Sequence, residues 1–117
     1  MCQKAFGGLF APLVEAKDIQ WTRGERARFQ SSDTNWRGFC QDCGTPLTYE
    51  FDGWIEIAIG TLDNPDVALP EVQVNTAYQT RCFSGLASLP EKPVEKKQVD
   101  DSWNASVVSR QHPDHET

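Results

Sequence analysis

The sequence predicts a mainly β protein, and three observations carry that expectation. Leu47, Tyr49 and Phe51 alternate with Thr48 and Glu50, and Ile55, Ile57 and Ile59 repeat the period of two that a half-buried strand requires. Asp52-Gly53 stands between those runs, a strong two-residue hairpin signal. No segment sustains an apolar period of 3.6 residues, so no long amphipathic helix is expected.

The elements follow in order. Pro12 interrupts the first apolar stretch, and a strand is expected over Leu13 to Ala16, then a short one over Ile19 to Thr22. Gly24 marks a turn, Ala27 to Gln30 a further strand, and Ser31 to Thr34 has turn chemistry. Trp36 to Cys40 and Pro46 to Phe51 flank a Cys-x-x-Cys turn. Trp54 to Gly60 follows the hairpin, with the isoleucines on one face and Trp54, Glu56 and Ala58 on the other. Leu62 to Asp66 is a turn cluster, Val72 to Thr76 reads as a last strand, and Cys82 to Leu89 as a helical turn stopped by Pro90. From Glu91 onward the chain is polar and charged. The expected organisation is a β domain over residues 1–90 and a tail over 91–117 that is disordered or loosely docked.

At 117 residues the chain is one domain at most. Its 17 acidic against 11 basic residues give a net charge of −6. That argues against a nucleic-acid surface, which needs clustered Lys and Arg. No apolar run is long enough to cross a bilayer, and the N-terminus lacks the regions of a signal peptide. The expected setting is therefore cytoplasmic, with cysteines reduced. The Asn104-Ala105-Ser106 sequon carries no meaning there.

The stretch Arg37-Gly38-Phe39-Cys40-Gln41-Asp42-Cys43-Gly44-Thr45-Pro46-Leu47 names the chemistry. Two thiolates on a hairpin tip can face one metal ion, and Gly44 supplies the freedom such a knuckle needs. Zinc in a closed structural site takes four ligands, and the chain has no second such pair. Cys40 and Cys43 are thus half of a structural zinc site, or else a vestigial reduced pair or an adventitious disulfide.

This stretch resembles the second zinc knuckle of the glutathione-dependent formaldehyde-activating enzyme family, which also includes centromere protein V. Cys2-Gln3-Lys4-Ala5-Phe6-Gly7 resembles the end of that family's catalytic Cys-x-Cys-x-x-Cys segment. Trp54-Ile55-Glu56-Ile57-Ala58-Ile59-Gly60-Thr61-Leu62-Asp63-Asn64-Pro65 resembles the strand and turn that follow the knuckle. The resemblance covers roughly Cys2 to Pro90. It implies a small antiparallel β sandwich or β-tent zinc-binding fold with its N-terminal strands missing. Of the thiolates used by the family's structural and catalytic zinc sites, this chain keeps Cys2, Cys40 and Cys43. Either it is a variant lacking the others, or its start lies upstream.

The activity so implied is of carbon–sulfur lyase type on thiol–formaldehyde adducts such as S-hydroxymethylglutathione, with zinc as Lewis acid. With the zinc sites incomplete, that activity is expected to be impaired. Cys2 would be the remaining catalytic ligand, and otherwise a single partly exposed cysteine beside Lys4. The alternative is a non-catalytic β binding module, which a homodimer would suit because missing strands uncover an edge and an apolar face. Cys82 lies outside the motifs and reads as a small buried apolar residue. Glu56 reads as the exposed side of its strand, and His112 and His115 as solvated spacers.

Overall fold

A computed structural model describes residues 1–108. The expectations for His112 and His115 lie outside the described residues. The chain divides into a compact unit of Met1–Thr80 and a second one from Arg81 onward.

The first unit is a mainly β fold, as expected. It holds a short helix α1 (Cys2–Phe6) and strands β1 (Leu13–Glu15), β2 (Ala27–Gln30), β3 (Asn35–Phe39), β4 (Pro46–Phe51) and β5 (Trp54–Ala58). They form one five-stranded antiparallel sheet in the order β1-β5-β4-β3-β2. The hairpin from β4 to β5 turns on Asp52 and Gly53, both left-handed at φ 45° and 78°. That pairing of angles matches the sheet's twist, which is why Asp-Gly marks the turn. Between β2 and β3, Ser31 and Ser32 both donate backbone N–H to the Asn35 carbonyl, at 2.9 and 3.3 Å. Ser32 and Thr34 hydroxyls hold the Asn35 side chain at 2.8 and 2.6 Å.

Register sorts the sheet into cross-strand rows. Phe29, Arg37, Tyr49, Glu56 and Glu15 are successive partners on one face. Arg28, Gly38, Thr48, Ile57 and Val14 are partners on the other. Among the described residues, Ala58 and Ile59 are the buried apolar ones and Arg37, Thr48 and Glu50 the buried polar ones. The sheet's interior is therefore as polar as it is apolar.

Two expected strands did not form. Residues 19–22 have no ladder partner, because Asp18 bends the chain into the left-handed region at φ 54° and Trp21 instead lies under the Arg26 guanidinium at 4.9 Å. Val72 to Thr76 alternates like a strand but joins no sheet edge. Val72 and Val74 stay exposed, and a left-handed Asn75 opens a 3-10 turn over Thr76–Tyr78. The strand expected to reach Gly60 stops at Ala58, where Ile59–Thr61 forms a 3-10 turn fastened by Thr61 Oγ1 on the Ala58 carbonyl at 2.7 Å.

In the second unit, Phe83–Ser88 forms the helical turn expected before Pro90. The polar stretch beyond it, expected to be disordered or loosely docked, carries a 13-residue helix α2, Val94–Ser106. Lys96 and Lys97 N–H groups open it on the Pro93 carbonyl at 3.0 Å each, and Lys92 pairs with Asp100 at 2.5 Å. Its apolar residues Val94, Val99 and Trp103 spread around the helix and are exposed. Without a single apolar stripe, periodicity does not reveal such a helix. Among the described residues, no helix is long and apolar enough to cross a membrane.

Candidate functional site

The Cys-x-x-Cys turn sits where β3 passes into β4. Cys40 N–H donates to the Thr45 carbonyl at 2.9 Å and Gly44 N–H donates back to the Cys40 carbonyl at 2.8 Å, closing the loop. Gly44 adopts φ 75°, which side chains rarely take. Cys43 Sγ lies 3.0 Å from Thr45 Oγ1. Cys40 is half-buried, Cys43 exposed, and neither is in a disulfide.

Cys2 stands apart from that turn. It opens α1, and its Sγ receives a hydrogen bond from Arg37 Nη2 at 3.2 Å. Arg37 is 6% exposed and lies over the Tyr49 ring at 4.2 Å from its centroid. Its Nε and Nη1 have no hydrogen-bond partner among the described residues. Asn35 Nδ2 hydrogen-bonds the Tyr49 hydroxyl, fixing that ring beneath the guanidinium.

A cavity of about 480 Å³ lies beside Arg37 and reaches Gly44 of the Cys-x-x-Cys turn. Met1, Lys4 and Phe6 line it from α1, and Phe29, Arg37, Phe39, Gly38 and Thr48 from the sheet. Gln3 ties α1 down through Nε2 to the Leu9 and Tyr78 carbonyls, at 3.1 and 3.2 Å. Cavities of several hundred Å³ suit small ligands.

Zinc can be tested against the donors. A closed structural zinc takes four ligands, and an open catalytic one takes three. Among the described residues, no group of three or more His, Cys, Asp or Glu comes together. The knuckle offers two thiols and the α1 site one, so the described donors do not fit a zinc ion at either place. Cys82, expected to be buried, is exposed at the start of its 3-10 turn and belongs to neither place.

Residues that sequence reasoning missed form a buried polar network on the opposite sheet face from Arg37. Glu50 is buried and takes Arg26 Nε at 2.5 Å, Arg28 Nη2 at 3.0 Å and the Thr48 hydroxyl at 2.7 Å. Burial pushes its carboxyl up, but the hydrogen bonds from Arg26 and Thr48 and the charges of both arginines outweigh that and hold it below the ordinary carboxylate range. Arg28 also stacks on Trp36 at 4.7 Å. The available signal was Gly38 inside a strand, which marks a close approach. A Cβ there would come within 2.8 Å of Arg26 Cδ and nearer still to Thr48 Oγ1.

Glu56 is not the exposed residue that the alternation suggested. It is half-buried, and burial first, then the Glu15 charge, raise its carboxyl above the ordinary range, partly offset by Arg37.

The sequence model of the glutathione-dependent formaldehyde-activating enzyme family matches residues 1–78, which contain the sheet, Cys2 and the Cys40–Cys43 turn. No curated protein and no solved structure matches the chain.

Proposed function

The chain belongs to the glutathione-dependent formaldehyde-activating family, and on that premise we propose that it acts on thiol–formaldehyde adducts such as S-hydroxymethylglutathione. The reaction type is that of a carbon–sulfur lyase, making or breaking the bond between thiol sulfur and hydroxymethyl carbon. The observation that carries this reading beyond the family match is Arg37, which lines a cavity of small-molecule size and donates a hydrogen bond to the Cys2 thiol behind it.

In this scheme α1 and the sheet bind the adduct and limit its contact with water, while Arg37 and Lys4 supply positive charge to an anionic ligand. Zinc is the family's usual Lewis acid. Since the described donors fall short of its ligand set, we assign the chain alone an activity impaired to the point of no net acceleration, with binding retained. Its setting on this reading is the cytoplasm, where thiols remain reduced.

The test is the rate of S-hydroxymethylglutathione formation from formaldehyde and glutathione, with and without added zinc. The expected rate equals the spontaneous one under both conditions. Acceleration that a chelator abolishes would contradict the assigned impairment and point to ligands outside the described residues.

A second reading, a homodimeric binding module, is favoured by the outer edge of β2. That strand pairs on one side with β3, and its Phe29 is 64% exposed. An unpaired edge bearing an exposed aromatic invites a second copy. Light scattering decides it, since a monomer across the working concentration range removes this reading.

A further inference from the structure

Among the described residues Arg37 is a buried charge with no carboxylate in ion-pair contact, although Glu56 lies near enough to feel its charge. The ion pairs among the described residues join Glu15, Glu50, Glu91 and Asp100 to other cations. Arg37 instead meets a thiol and a ring face, and Nε and Nη1 are left over. Burying charged donors without partners is among the costlier arrangements in a protein. Glu56 is its nearest cross-strand acid beyond Tyr49, but forms no ion pair with it.

The cavity shows the same asymmetry. In a chain of net charge −6, Lys4 and Arg37 are the charged side chains of its lining, and no Asp or Glu is among them. Phe6, Phe29 and Phe39 supply much of the rest. No residue of the α1 wall is buried, and hydrogen bonds from Gln3 and to Cys2 are what hold it.

We propose that Arg37 is the carboxylate-binding residue of this cavity, and that its ligand is a small thiol, or hydroxymethyl thiol adduct, that also bears a carboxylate. The carboxylate takes the guanidinium donors that lack partners, and the sulfur end lies toward Cys2. Entry of the ligand exchanges the Arg37–Cys2 contact for a charge-assisted one, with a small shift of α1. Thiols without a carboxylate lose the anchor and bind weakly. This proposal rests on the thiol-adduct reading and adds the group by which the substrate is recognised.

Calorimetric titration of the full chain tests it with four probes: glutathione, glutathione diethyl ester, 2-mercaptoethanol and succinate. Glutathione is expected to bind about tenfold or more tightly than its diethyl ester, as a lost charge-assisted hydrogen bond implies. Arg37→Gln should lower glutathione affinity by a similar factor, with Arg37→Lys between the two, because lysine keeps the charge and loses the planar fork. Cys2→Ser should preserve the preference for glutathione over the ester. Equal binding of glutathione and ester overturns the proposal, as does unchanged affinity in a natively folded Arg37→Gln. Absence of both glutathione and succinate binding overturns it too. Should Arg37→Gln fail to fold, the ester comparison on the unaltered chain decides. Succinate bound through Arg37 with no gain for glutathione upholds the carboxylate site and counts against the thiol reading.

Discussion

Replacing Gly38 by alanine should be among the most damaging single-methyl changes in this chain. Gly38 pairs with Thr48 across β3 and β4, so the ladder fixes how far apart their backbones sit. The new Cβ would lie 2.8 Å from Arg26 Cδ and closer to Thr48 Oγ1, inside van der Waals contact with both. Thr48 is 1% exposed, and its hydroxyl can leave only by giving up its 2.7 Å bond to Glu50. Overpacking a well-filled site costs about 1–3 kcal/mol. A lost buried hydrogen bond to a charged group adds about 1.5–3 kcal/mol. The two share one strain, so about 3–4 kcal/mol is expected, a large part of the ~5–15 kcal/mol that holds a small domain together. Urea unfolding followed by tryptophan fluorescence measures it. Thr48→Ala should cost less in the Gly38→Ala background than in the unaltered chain, because it removes the obstructing oxygen. A Gly38→Ala protein within about 0.5 kcal/mol of the original would refute the close approach on which the buried network depends.

Other outcomes follow from the same contacts. Glu50→Gln should destabilise the chain by about 2–3 kcal/mol, since it leaves the part-buried Arg26 without its carboxylate. The Glu50 carboxyl lies below its unfolded value, so its contribution is present above that value and is lost as pH falls through the folded one. The acid limb of a stability–pH curve should therefore flatten in Glu50→Gln. Glu56 has the opposite sign: its raised carboxyl favours the fold below the unfolded value, and that gain is lost as pH rises through the folded one. Glu56→Gln should remove that loss, read from the same curves. Zinc content by elemental analysis should fall well below one ion per chain, because the described donors fit zinc at neither place, and two ions would show that a full ligand set is present.

The strands were legible where alternation and a turn signal agreed. Ala27–Gln30 and Pro46–Phe51 formed over the expected residues, and Asp52-Gly53 turned the hairpin. Alternation alone was not enough for Val72 to Thr76, because a strand needs an edge to pair with and sequence does not say which edges are free. The buried network escaped notice for a related reason. Glu50 occupies a polar slot in an alternating strand, and only the register brings Arg26, Arg28 and Thr48 around it. Cys2 was read beside its neighbour Lys4, whereas the fold sets it against Arg37, distant in sequence. A motif shows which residues have chemistry, but the partner that tunes them arrives through tertiary contact.

The ligands proposed for the cavity that Arg37 lines are thiol–formaldehyde adducts. Saturation-transfer NMR tests this most directly, using glutathione mixed with excess formaldehyde so that S-hydroxymethylglutathione is present with its parent thiol. Saturation of the adduct's hydroxymethyl and cysteinyl protons is expected, strongly reduced in Arg37→Gln. An adduct that receives no saturation from the folded chain, at concentrations where the protein's own methyl signals are fully irradiated, would contradict that binding.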